Sequence, residues 1–330
     1  MHRVLITGAL GYLGSEVLKR LHQGWTDNKI DQIIAVDIRA AERELEGIKY
    51  EIADIRDSNK IDTLIQDNNV TAVIHLAAII DSQSSDRKFQ YEVDVLGTQN
   101  MLDACVKHKV KKVIISSSGA AYGYHADNPA WITEDDTLRG NEIFAYSDHK
   151  RIVEEMLQEY RINHPELEQV IFRVCTILGK HTDNLITDLF KKKNILGIRG
   201  FKSPFVFIWD QDAANCMYKA LFYEGHGIFN LAADGAISNK DLARVLNKKY
   251  MALPAALLKF LLFLGKSTGL SKYGPEQLLF IQFRPVLDNH KLKTAFGYKP
   301  EKSSLDTFKY YLNHNNISYT DDHINIEITG

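Results

Sequence analysis

The chain has few cysteines and no excess of charge of either sign. Its 330 residues include three cysteines, Cys105, Cys175 and Cys216, which form no C-x-x-C pair and leave one thiol over in any pairing. This argues against a disulfide framework, and we expect a reduced, cytoplasmic setting. The formal net charge of −2 predicts no nucleic-acid partner. The twelve histidines lack the spacing of a zinc site, so no metal is predicted.

A long hydrophobic run is also missing. The most apolar stretch, ALPAALLKFLLFL at residues 252–264, is shorter than the roughly 20 residues that a membrane span needs, and Pro254 and Lys259 interrupt it. The first residues, MHRVLITG, enter a strand-like segment directly and do not resemble a signal peptide. We therefore predict no membrane span. We interpret residues 252–264 as a buried helix or a lid, with a membrane-surface helix as the alternative.

Short β-branched runs alternate with longer helical patterns in the first half of the chain. The predicted strands are 3–7, 32–37, 50–55, 72–78, 112–118, 169–174 and 227–232, and the predicted helices are 14–23, 57–67, 91–108 and 145–163. Strands as apolar as these are typical of a parallel sheet that is covered on both faces. The β-α-β-α order predicts an α/β fold with a Rossmann-type, doubly wound parallel sheet.

The alternation stops after Leu178, and 330 residues suit roughly two domains. We predict a first domain over residues 1–178, with a return segment at about 204–232, and a smaller, mainly helical domain over 179–330. Within the second domain, Ser238 is a candidate N-cap with Asp241 three residues on. The tail at 318–330 alternates apolar and polar residues, as an edge strand does, or is loose.

A glycine-rich turn follows the first predicted strand. In TGALGYLG, Gly8, Gly11 and Gly14 stand where the strand ends and a helix begins. At such a turn the backbone approaches a pyrophosphate closely, and the helix N-terminus stabilises its charge. Asp37 ends the second strand, where a carboxylate binds the ribose hydroxyls of NAD and repels a 2′-phosphate. The pattern favours NAD over NADP, although Arg39 softens that preference.

The ends of the third and fourth strands carry further cofactor candidates. Asp54 stands where it can accept a hydrogen bond from the adenine amino group, with Ile55 packing on the ring; the alternative for Asp54 is a helix cap. The small side chains after the fourth strand let a cofactor lie across the strand tips, and these candidates are Leu76, Ala77 and Ala78. His75 is interpreted as an interior histidine with its hydrogen bonds satisfied.

Tyr146 and Lys150 stand four residues apart in FAYSDHK. On a helix they share one face, and a neighbouring ammonium favours the phenolate form, which gives a possible acid/base catalyst. The fifth strand ends in SSSGAAYG, and strand ends in such sheets line the ligand crevice. A hydroxyl at Ser118 can there bind a substrate oxygen beside Tyr146, and Ser116 is a cofactor candidate. The alternatives are an ordinary amphipathic helix and a serine that caps the next turn.

Taken together, these motifs resemble an extended short-chain dehydrogenase/reductase of the NAD-dependent epimerase/dehydratase family. The matching segments are TGALGYLG, Asp37, ADIRD, HLAA, the stretch around Gly97, SSSGAAYG, YSDHK, FRVCTILG and WDQDAA, over about residues 3–221, with a weaker match from Asp288. The resemblance is specific for the family and unspecific for the substrate.

The resemblance implies a role for each matching residue. Tyr146 would be the acid/base, Lys150 would bind the nicotinamide ribose and favour the phenolate, and Ser118 would orient the substrate oxygen. The three glycines, with Tyr12 and Leu13, would cradle the pyrophosphate. In the implied chemistry a hydride passes between a substrate carbon and the nicotinamide.

Three positions depart from the family pattern. Asp94 replaces an asparagine that is frequent in the family, and Thr176 stands where nucleotide-sugar enzymes often carry an asparagine that contacts phosphate. The segment SPFVFIWDQD, with Phe205 and Phe207, lacks the arginine that often grips the diphosphate. The cations that could replace that arginine are Arg173, Arg199, Lys202 and Arg284.

The leading hypothesis is therefore an NAD-dependent epimerase that acts on a small-molecule substrate, a nucleotide sugar. The alternatives are a reductase or dehydrogenase of a less polar ketone or alcohol, steroid-like or aryl, and a non-catalytic cofactor-binding protein. Dehydration ranks lower, because Gly119 and Ala120 follow Ser118 where an acid would be needed. The resemblance implies a homodimer in which the helices 91–108 and 145–163 pair across a two-fold axis. The apolar stripe on the helix 145–163 favours this dimer, with core packing as the alternative.

Overall fold

The computed structural model describes residues 1–25, 30–80, 86–269 and 274–320. Its centre is a seven-stranded parallel sheet in the order β3-β2-β1-β4-β5-β6-β10. The strands are β1 (His2–Thr7), β2 (Ile30–Asp37), β3 (Lys49–Ile52), β4 (Ala72–His75), β5 (Lys112–Ser118), β6 (Glu168–Val174) and β10 (Gly227–Leu231). The predicted doubly wound α/β class is confirmed. The chain reverses direction across the sheet between β1 and β4, and ligands bind beyond the strand ends at such a switch point.

Helices cover both faces of this sheet. They are α1 (Tyr12–Gly24), α2 (Ser58–Asp67), α3 (Arg87–Tyr91), α4 (Gly97–Lys107), α5 (Ala145–Asn163) and α7 (Asp210–Ala220). One core cluster joins the sheet to α1 and α7 through residues such as Val17, Leu21 and Met217. The other cluster joins the opposite face to α2, α4 and α5 through Leu64, Met101 and Leu157. The near-continuous apolar strands are thus buried on both sides.

The remaining elements form a smaller region beside the strand ends. They are β7 (Thr176–Leu178), α6 (Leu185–Lys191), β8 (Asn194–Ile198), β9 (Phe207–Trp209), α8 (Asn239–Val245), β11 (Lys249–Leu253), α9 (Ala255–Ser267), α10 (Gln277–Gln282), α11 (His290–Thr294) and α12 (Ser304–His314). Strands β7 and β9 pair, as do β8 and β11. As predicted, Ser238 caps α8 by accepting from the N–H of Asp241.

Several predicted element ends are wrong. β3 ends at Ile52 and not at residue 55, and β4 ends at His75 and not at residue 78. The residues that follow leave the sheet and form loops at the carboxyl ends of the strands. The helix predicted over 91–108 begins four residues earlier and contains a π-helical turn at Glu92–Leu96. The predicted tail strand falls largely outside the described residues. The division into two domains at residue 178 stays a prediction.

The prediction that residues 252–264 form a buried helix is also wrong. α9 is helical, but within it only Leu258 is fully buried. Phe260 is 56% exposed and Phe263 is 55% exposed. Among the described residues, none of the helices has the length and apolar character that a membrane crossing needs.

Candidate functional site

The glycine turn between β1 and α1 is closely packed. Gly8 has φ +65°, and a Cβ on it would lie 2.8 Å from the backbone nitrogen of Ala77. A Cβ on Gly14 would lie 2.0 Å from the carbonyl oxygen of Gly8. Gly11 is the N-cap of α1 and no side chain caps this helix end. The turn therefore leaves backbone N–H groups at the start of a 13-residue helix, which suits a pyrophosphate.

Tyr12 and Leu13 occupy the first turn of α1. The Tyr12 hydroxyl donates to Asp210 at 2.7 Å and accepts from Thr182 at 2.8 Å. Burial raises the pKa of Tyr12, and burial also raises the pKa of Asp210. Leu13 packs on the core beneath the turn. The Tyr12 side chain thus ties the glycine turn to α7, and sequence reasoning missed this tether.

Asp37 lies at the end of β2, beside the glycine turn. Its carboxylate accepts from the N–H of Leu10 at 3.0 Å and from Nε of Arg39 at 3.2 Å. Arg39 in turn donates to the carbonyl of Leu10 at 2.8 Å. These groups line a cavity together with Tyr50 and Ile52. The carboxylate is placed for ribose hydroxyls, and Arg39 offsets part of its charge.

Asp54 and Ile55 follow β3 in a loop and do not end the strand. The Asp54 carboxylate pairs with Arg56 at 2.6 Å, and this guanidinium lowers the pKa of Asp54. Asp57, three residues on, is the cap of α2. Asp54 is thus not the helix cap, and its hydrogen bond with the adenine amino group remains a prediction. Ile55 is 4% exposed and packs among core residues.

Leu76, Ala77 and Ala78 leave β4 toward the glycine turn. The N–H of Leu76 donates to the carbonyl of Thr7 at 3.2 Å, and the N–H of Ala77 donates to the Thr7 hydroxyl at 3.3 Å. His75 is buried and bonds to Thr7 at 2.8 Å and to Thr98 at 3.1 Å. Its interpretation as a satisfied interior histidine is confirmed.

The Asp94 side chain supports the next residues of the same loop. Its carboxylate accepts from the N–H of Ile79 at 2.8 Å and lies 3.2 Å from Nδ1 of His149. Asp94 is 4% exposed and His149 is 1% exposed. Asp94 thus binds the backbone of the loop after β4 and has a buried partner on α5. No motif in the sequence pointed to His149.

Tyr146 and Lys150 lie in the first turns of α5, as the i, i+4 spacing predicts. Lys150 Nζ donates to the carbonyl of Ser116 at 2.9 Å and lies 5.7 Å from the centroid of the Tyr146 ring. Ser147 fixes the helix start by donating to the carbonyl of Ala120 at 2.7 Å. The ammonium is therefore held between the end of β5 and the phenol ring.

Ser118 is the last residue of β5 and lies two residues before Ala120, whose carbonyl binds Ser147 of α5. Its hydroxyl oxygen accepts from the N–H of Ala120 at 3.1 Å, so the serine does cap the short 3₁₀ turn at Gly119–Tyr122. The hydroxyl proton is still available to a substrate oxygen, because the cap uses only the oxygen as acceptor. Capping and substrate binding are thus compatible at this residue.

Arg173, one of the suggested diphosphate contacts, serves another purpose. Its guanidinium forms a buried ion pair with Glu154 at 2.7 Å. Ser117 donates to the same carboxylate at 2.5 Å, and Arg173 also donates to Tyr122 at 2.9 Å. This network joins α5 to β5 and β6 beneath the site. Arg173 is therefore not free for substrate, and sequence reasoning missed Glu154.

Arg284 is the suggested cation that the fold brings to the site. Its guanidinium carbon lies 3.4 Å from the centroid of the Phe205 ring. Its Nε is buried without a hydrogen-bond partner in the part of the chain that is described. Burial lowers the pKa of Arg284 to about 9, and Tyr124 opposes this shift. The Arg284 guanidinium carbon also lies 4.8 Å from the centroid of the Phe280 ring, which packs edge-on against the ring of Tyr124.

The other suggested positions lie elsewhere. Arg199 and Lys202 are exposed on the smaller region. Phe207 is fully buried in a core cluster beneath that region. Thr176 lies on β7, opposite Phe207 on β9, and is half-buried. Of the four cations considered, Arg284 has a buried Nε without a hydrogen-bond partner among the described residues, and it packs against Phe205 and Phe280.

A parallel sheet with a glycine turn at its switch point and a tyrosine–lysine pair beside it defines a dinucleotide-dependent enzyme. Residues 4–232 match the model of the NAD dependent epimerase/dehydratase family. The chain belongs to this family, which confirms the resemblance and the class of enzyme inferred from the motifs.

Known proteins similar to the chain include curated sequences and solved structures. A protein of Mycobacterium tuberculosis described as uncharacterised is 24% identical over 314 residues, covering 93% of this chain and 82% of the relative. A UDP-glucose 4-epimerase of Dictyostelium discoideum is 31% identical over 192 residues, 56% of this chain and 54% of the relative. The UDP-glucose 4-epimerase of Thermus thermophilus, solved with NAD, has TM-score 0.72 and 21% identity, covering 95% of this chain and 99% of the other.

Proposed function

We propose that this protein is an NAD-dependent epimerase that acts at a carbinol carbon of a nucleotide sugar. The observation that carries the proposal is that Lys150, beside Tyr146 on α5, binds the carbonyl of Ser116 near the end of β5, in the same parallel sheet as the glycine turn after β1. The glycine turn and Asp37 would hold NAD, which would supply a reversible hydride transfer at the carbinol carbon without net consumption of the cofactor.

The residues of the chain handle the proton. The phenolate oxygen of Tyr146 takes the proton of the substrate hydroxyl as the hydride leaves, and gives it back in the second half of the reaction. Ser118 donates a hydrogen bond to the same substrate oxygen and orients it. Lys150, fixed by the carbonyl of Ser116, keeps a positive charge beside the phenolate. Tyr146 and Lys150 of α5, with Ser118 at the end of β5, would therefore supply the donor and the acceptor for each proton transfer.

Asp37 supports NAD over NADP. Its carboxylate already accepts from Leu10 and Arg39 and has further acceptor capacity for two ribose hydroxyls. The negative charge of this carboxylate would repel the 2′-phosphate of NADP. The adenine contacts of Asp54 and Ile55, and the strand-tip contacts of Leu76, Ala77, Ala78 and Ser116, belong to the same proposal.

Arg284 supports a diphosphate in the substrate. A guanidinium without a carboxylate partner in the described residues is costly to bury unless an anion completes it. Within the part of the chain that is described, its hydrogen bonds are to the carbonyls of Ser203 and Pro204, at 3.3 and 3.4 Å. A diphosphate would supply the missing charge and accept from the free Nε. The Dictyostelium and Thermus relatives are UDP-glucose 4-epimerases, which agrees with this class of substrate.

Aromatic rings around Arg284 favour a second candidate, a reductase of a steroid-like or aryl ketone. The Tyr124 ring packs edge-on against Phe144 and Phe280, and Phe205 stacks beneath the guanidinium. Such rings suit an apolar ligand as well as a sugar face. The same catalytic tyrosine would then pass a proton in a single redox step.

The proposal also covers the domain organisation, the oligomeric state and the cellular setting of the protein. Residues 1–178, with 204–232, would bind the cofactor, and residues 179–330 would bind the substrate. Exposed or half-buried apolar side chains on α3 to α5, including Phe89, Leu96 and Ile152, support a homodimer through these helices. The three free cysteines support a reducing, cytoplasmic setting.

Thermal unfolding with NAD tests the substrate class. UDP, TDP, GDP and CDP are added separately, since a ligand that binds only the folded state at 100 times its dissociation constant adds about 2.7 kcal/mol. A stabilising shift with one nucleotide supports the proposal and selects the sugars for an epimerisation assay. Arg284→Met should remove that shift, whereas Arg199→Met, at an exposed guanidinium, should keep it. Stabilisation by NAD but by none of the nucleotides would favour the apolar ketone.

A further inference from the structure

Helix α9 exposes an unusually apolar surface. Leu257, Phe260, Leu261 and Leu264 are between 41% and 56% exposed and follow the i, i+3, i+4, i+7 spacing of a single helix face. Phe263 extends this face and is 55% exposed. Contiguous apolar patches of this kind mark interaction sites in proteins that otherwise fold normally. The surface therefore needs a partner that the described residues do not supply.

The helix is attached to the molecule along a different stripe. Leu258 is buried and Leu262 is half-buried, and both pack against Ile198, Phe201 and Leu278. The N–H of Arg199 donates to the carbonyl of Leu253, just before α9, at 2.9 Å. The helix is thus anchored through one side, and the apolar face on its other side remains accessible.

Charge is strongly segregated around this helix. Residues 189–209 and 242–275, which contain β8, β11 and α9, include eleven lysines and arginines and no aspartate or glutamate. The other residues hold the remaining 29 cations and all 42 acids. A chain with a net charge of −2 therefore concentrates its positive charge in the region that carries the exposed apolar face.

Exposed basic side chains also stand at the start of the paired strands β8 and β11, and β11 leads into α9. Lys191, Lys192 and Lys193 precede β8, Lys249 begins β11, and all four are exposed. Some cations have acidic partners at the border of the region: Lys191 with Asp183 and Asp188, Arg244 with Asp241, and Lys266 with Glu276. Even with these pairs, cations remain in excess over the acids that border the region.

We propose that α9 and the basic β8–β11 strands form a docking surface for an anionic lipid bilayer. The apolar face would lie in the plane of the interface, and the lysines and arginines of residues 189–209 and 242–275 would contact lipid headgroups. Large apolar side chains beside lysines, without acids, are what such in-plane helices use. The protein would then work at a membrane surface without crossing it, and its reaction at Tyr146 would not depend on this contact.

Two other occupants fit the surface less well. A second copy of the chain would bring two basic regions together, and like charges across an interface oppose association. A lid over the substrate would direct its apolar face inward, whereas Phe260 and Phe263 are more than half exposed. Variants of α9 would change the molecular mass if a second copy covered this face, and would change KM if the helix were a lid.

Vesicle co-sedimentation tests the proposal with the full chain. Wild-type protein is mixed with vesicles of phosphatidylcholine alone or with added phosphatidylglycerol, at low and high salt. We expect binding only with phosphatidylglycerol, weakened by salt. The double variant Phe260→Gln and Leu264→Gln should lose roughly tenfold or more of this binding, because its apolar face no longer inserts. The double variant Lys192→Glu and Lys193→Glu should also bind more weakly.

Matched controls separate this surface from exposed residues in general. Ile162→Gln, at a side chain 72% exposed on α5, and Lys111→Glu should bind vesicles as the wild type does. The melting temperature and turnover of all variants should stay unchanged. Absence of wild-type binding to anionic vesicles, or equal binding by the α9 variant, would overturn the proposal. The proposal would also be overturned if the α9 variant changed only the molecular mass, which would indicate a second copy. A change in KM alone would overturn it too and would indicate a lid.

Discussion

At the residue scale, Tyr146 is the side chain on which the proposed reaction depends most directly. Removing its hydroxyl in Tyr146→Phe leaves no group to move the proton, and we expect turnover to fall by roughly 10²- to 10⁴-fold. NAD should still raise the melting temperature, because Lys150 is held by the Ser116 carbonyl and not by the phenol. Turnover and thermal shift are measured on the same preparation.

Tyr250→Phe, a tyrosine on β11, is the matched control and should keep full turnover. If Tyr146→Phe also kept full turnover, the acid/base role would be wrong. The hypothesis of a non-catalytic cofactor-binding protein would then return.

Asp37 should decide which dinucleotide the protein prefers. In Asp37→Ala the acceptor for the ribose hydroxyls is lost, and Arg39, released from its 3.2 Å contact, becomes available to a phosphate. Charged hydrogen bonds contribute about 1.5–3 kcal/mol, so NAD should bind roughly ten- to a hundredfold more weakly. NADP should bind more tightly than it does to the wild type. Titration calorimetry with both dinucleotides measures this, and an unchanged NAD-to-NADP ratio would contradict the assignment.

The cofactor and catalytic side chains were predictable because their signals are local. The glycine turn, Asp37 and the Tyr146–Lys150 pair each lie within a short segment next to a recognisable strand or helix. Glu154 and Arg284 carry no such signal. Glu154 meets Arg173 only when α5 covers β6, and Arg284 reaches Phe205 from 79 positions along the chain. Their roles follow from the fold and not from any motif.

At the element scale, the spacing between β1 and α1 depends on glycine. Gly14→Ala would place a Cβ 2.0 Å from the carbonyl oxygen of Gly8, whereas Gly11→Ala would place one at 3.2 Å. Overpacking of this kind typically costs about 1–3 kcal/mol. We expect Gly14→Ala to lower the free energy of unfolding and to weaken NAD binding, with a smaller effect from Gly11→Ala. Denaturant unfolding compares the two variants, and equal effects would contradict the packing argument.

His75 links three elements, since it bonds to Thr7 on β1 and Thr98 on α4 from the end of β4. Burial, and secondarily Lys150, lowers the pKa of His75 from 6.5 to about 3, while Asp94 opposes the shift. The folded state thus keeps the ring neutral where the unfolded chain protonates it. Its contribution to stability is complete above pH 6.5 and is lost as the pH falls from there toward 3.

The variant His75→Gln isolates this contribution. Wild-type protein should be the more stable at pH 7.5, and the difference in unfolding free energy should narrow by about 1.4 kcal/mol at pH 5.5. Denaturant unfolding at the two pH values measures the difference. A difference that stays constant or widens would show that the ring is already protonated in the folded state.

Helix positions were predicted better than strand ends, for a physical reason. The bounds of α5 match the prediction because an apolar stripe repeats over 19 residues. The predicted β3 and β4 were too long because Ala53, Ile55 and Leu76 to Ala78 are apolar although the chain has left the ladder there. Apolar character also misled the prediction for α9, which is exposed. Periodicity indicates which residues share a face, but not whether the fold provides a partner for that face.

At the scale of the whole molecule, alternation of strands and helices was enough to predict the doubly wound sheet. The sequence did not show how the smaller region would assemble, because its short strands pair over long separations: β7 with β9, and β8 with β11. Nor did it show that cations from separate segments of the chain would meet where β8 pairs with β11. Both properties arise only when segments distant in the chain meet.

The proposed homodimer is the property of the whole molecule that is simplest to test. Val153 and Leu157 of α5 are buried against the sheet, which accounts for two of the five residues in the apolar stripe on this helix. Ile152, Met156 and Tyr160 stay only partly buried, and Leu96 beside α4 is 41% exposed. Pairing of α4 and α5 with those of a second copy would cover these side chains.

Light scattering at micromolar protein should therefore give twice the chain mass of 37.5 kDa. Leu96→Glu should shift the mass toward the monomer, because a carboxylate at the two-fold contact would be buried without a partner. Leu185→Glu, at a side chain 39% exposed on α6, is the control matched in exposure and should leave the mass unchanged. A monomeric wild type, or a dimer that Leu96→Glu does not weaken, would contradict pairing through α4 and α5.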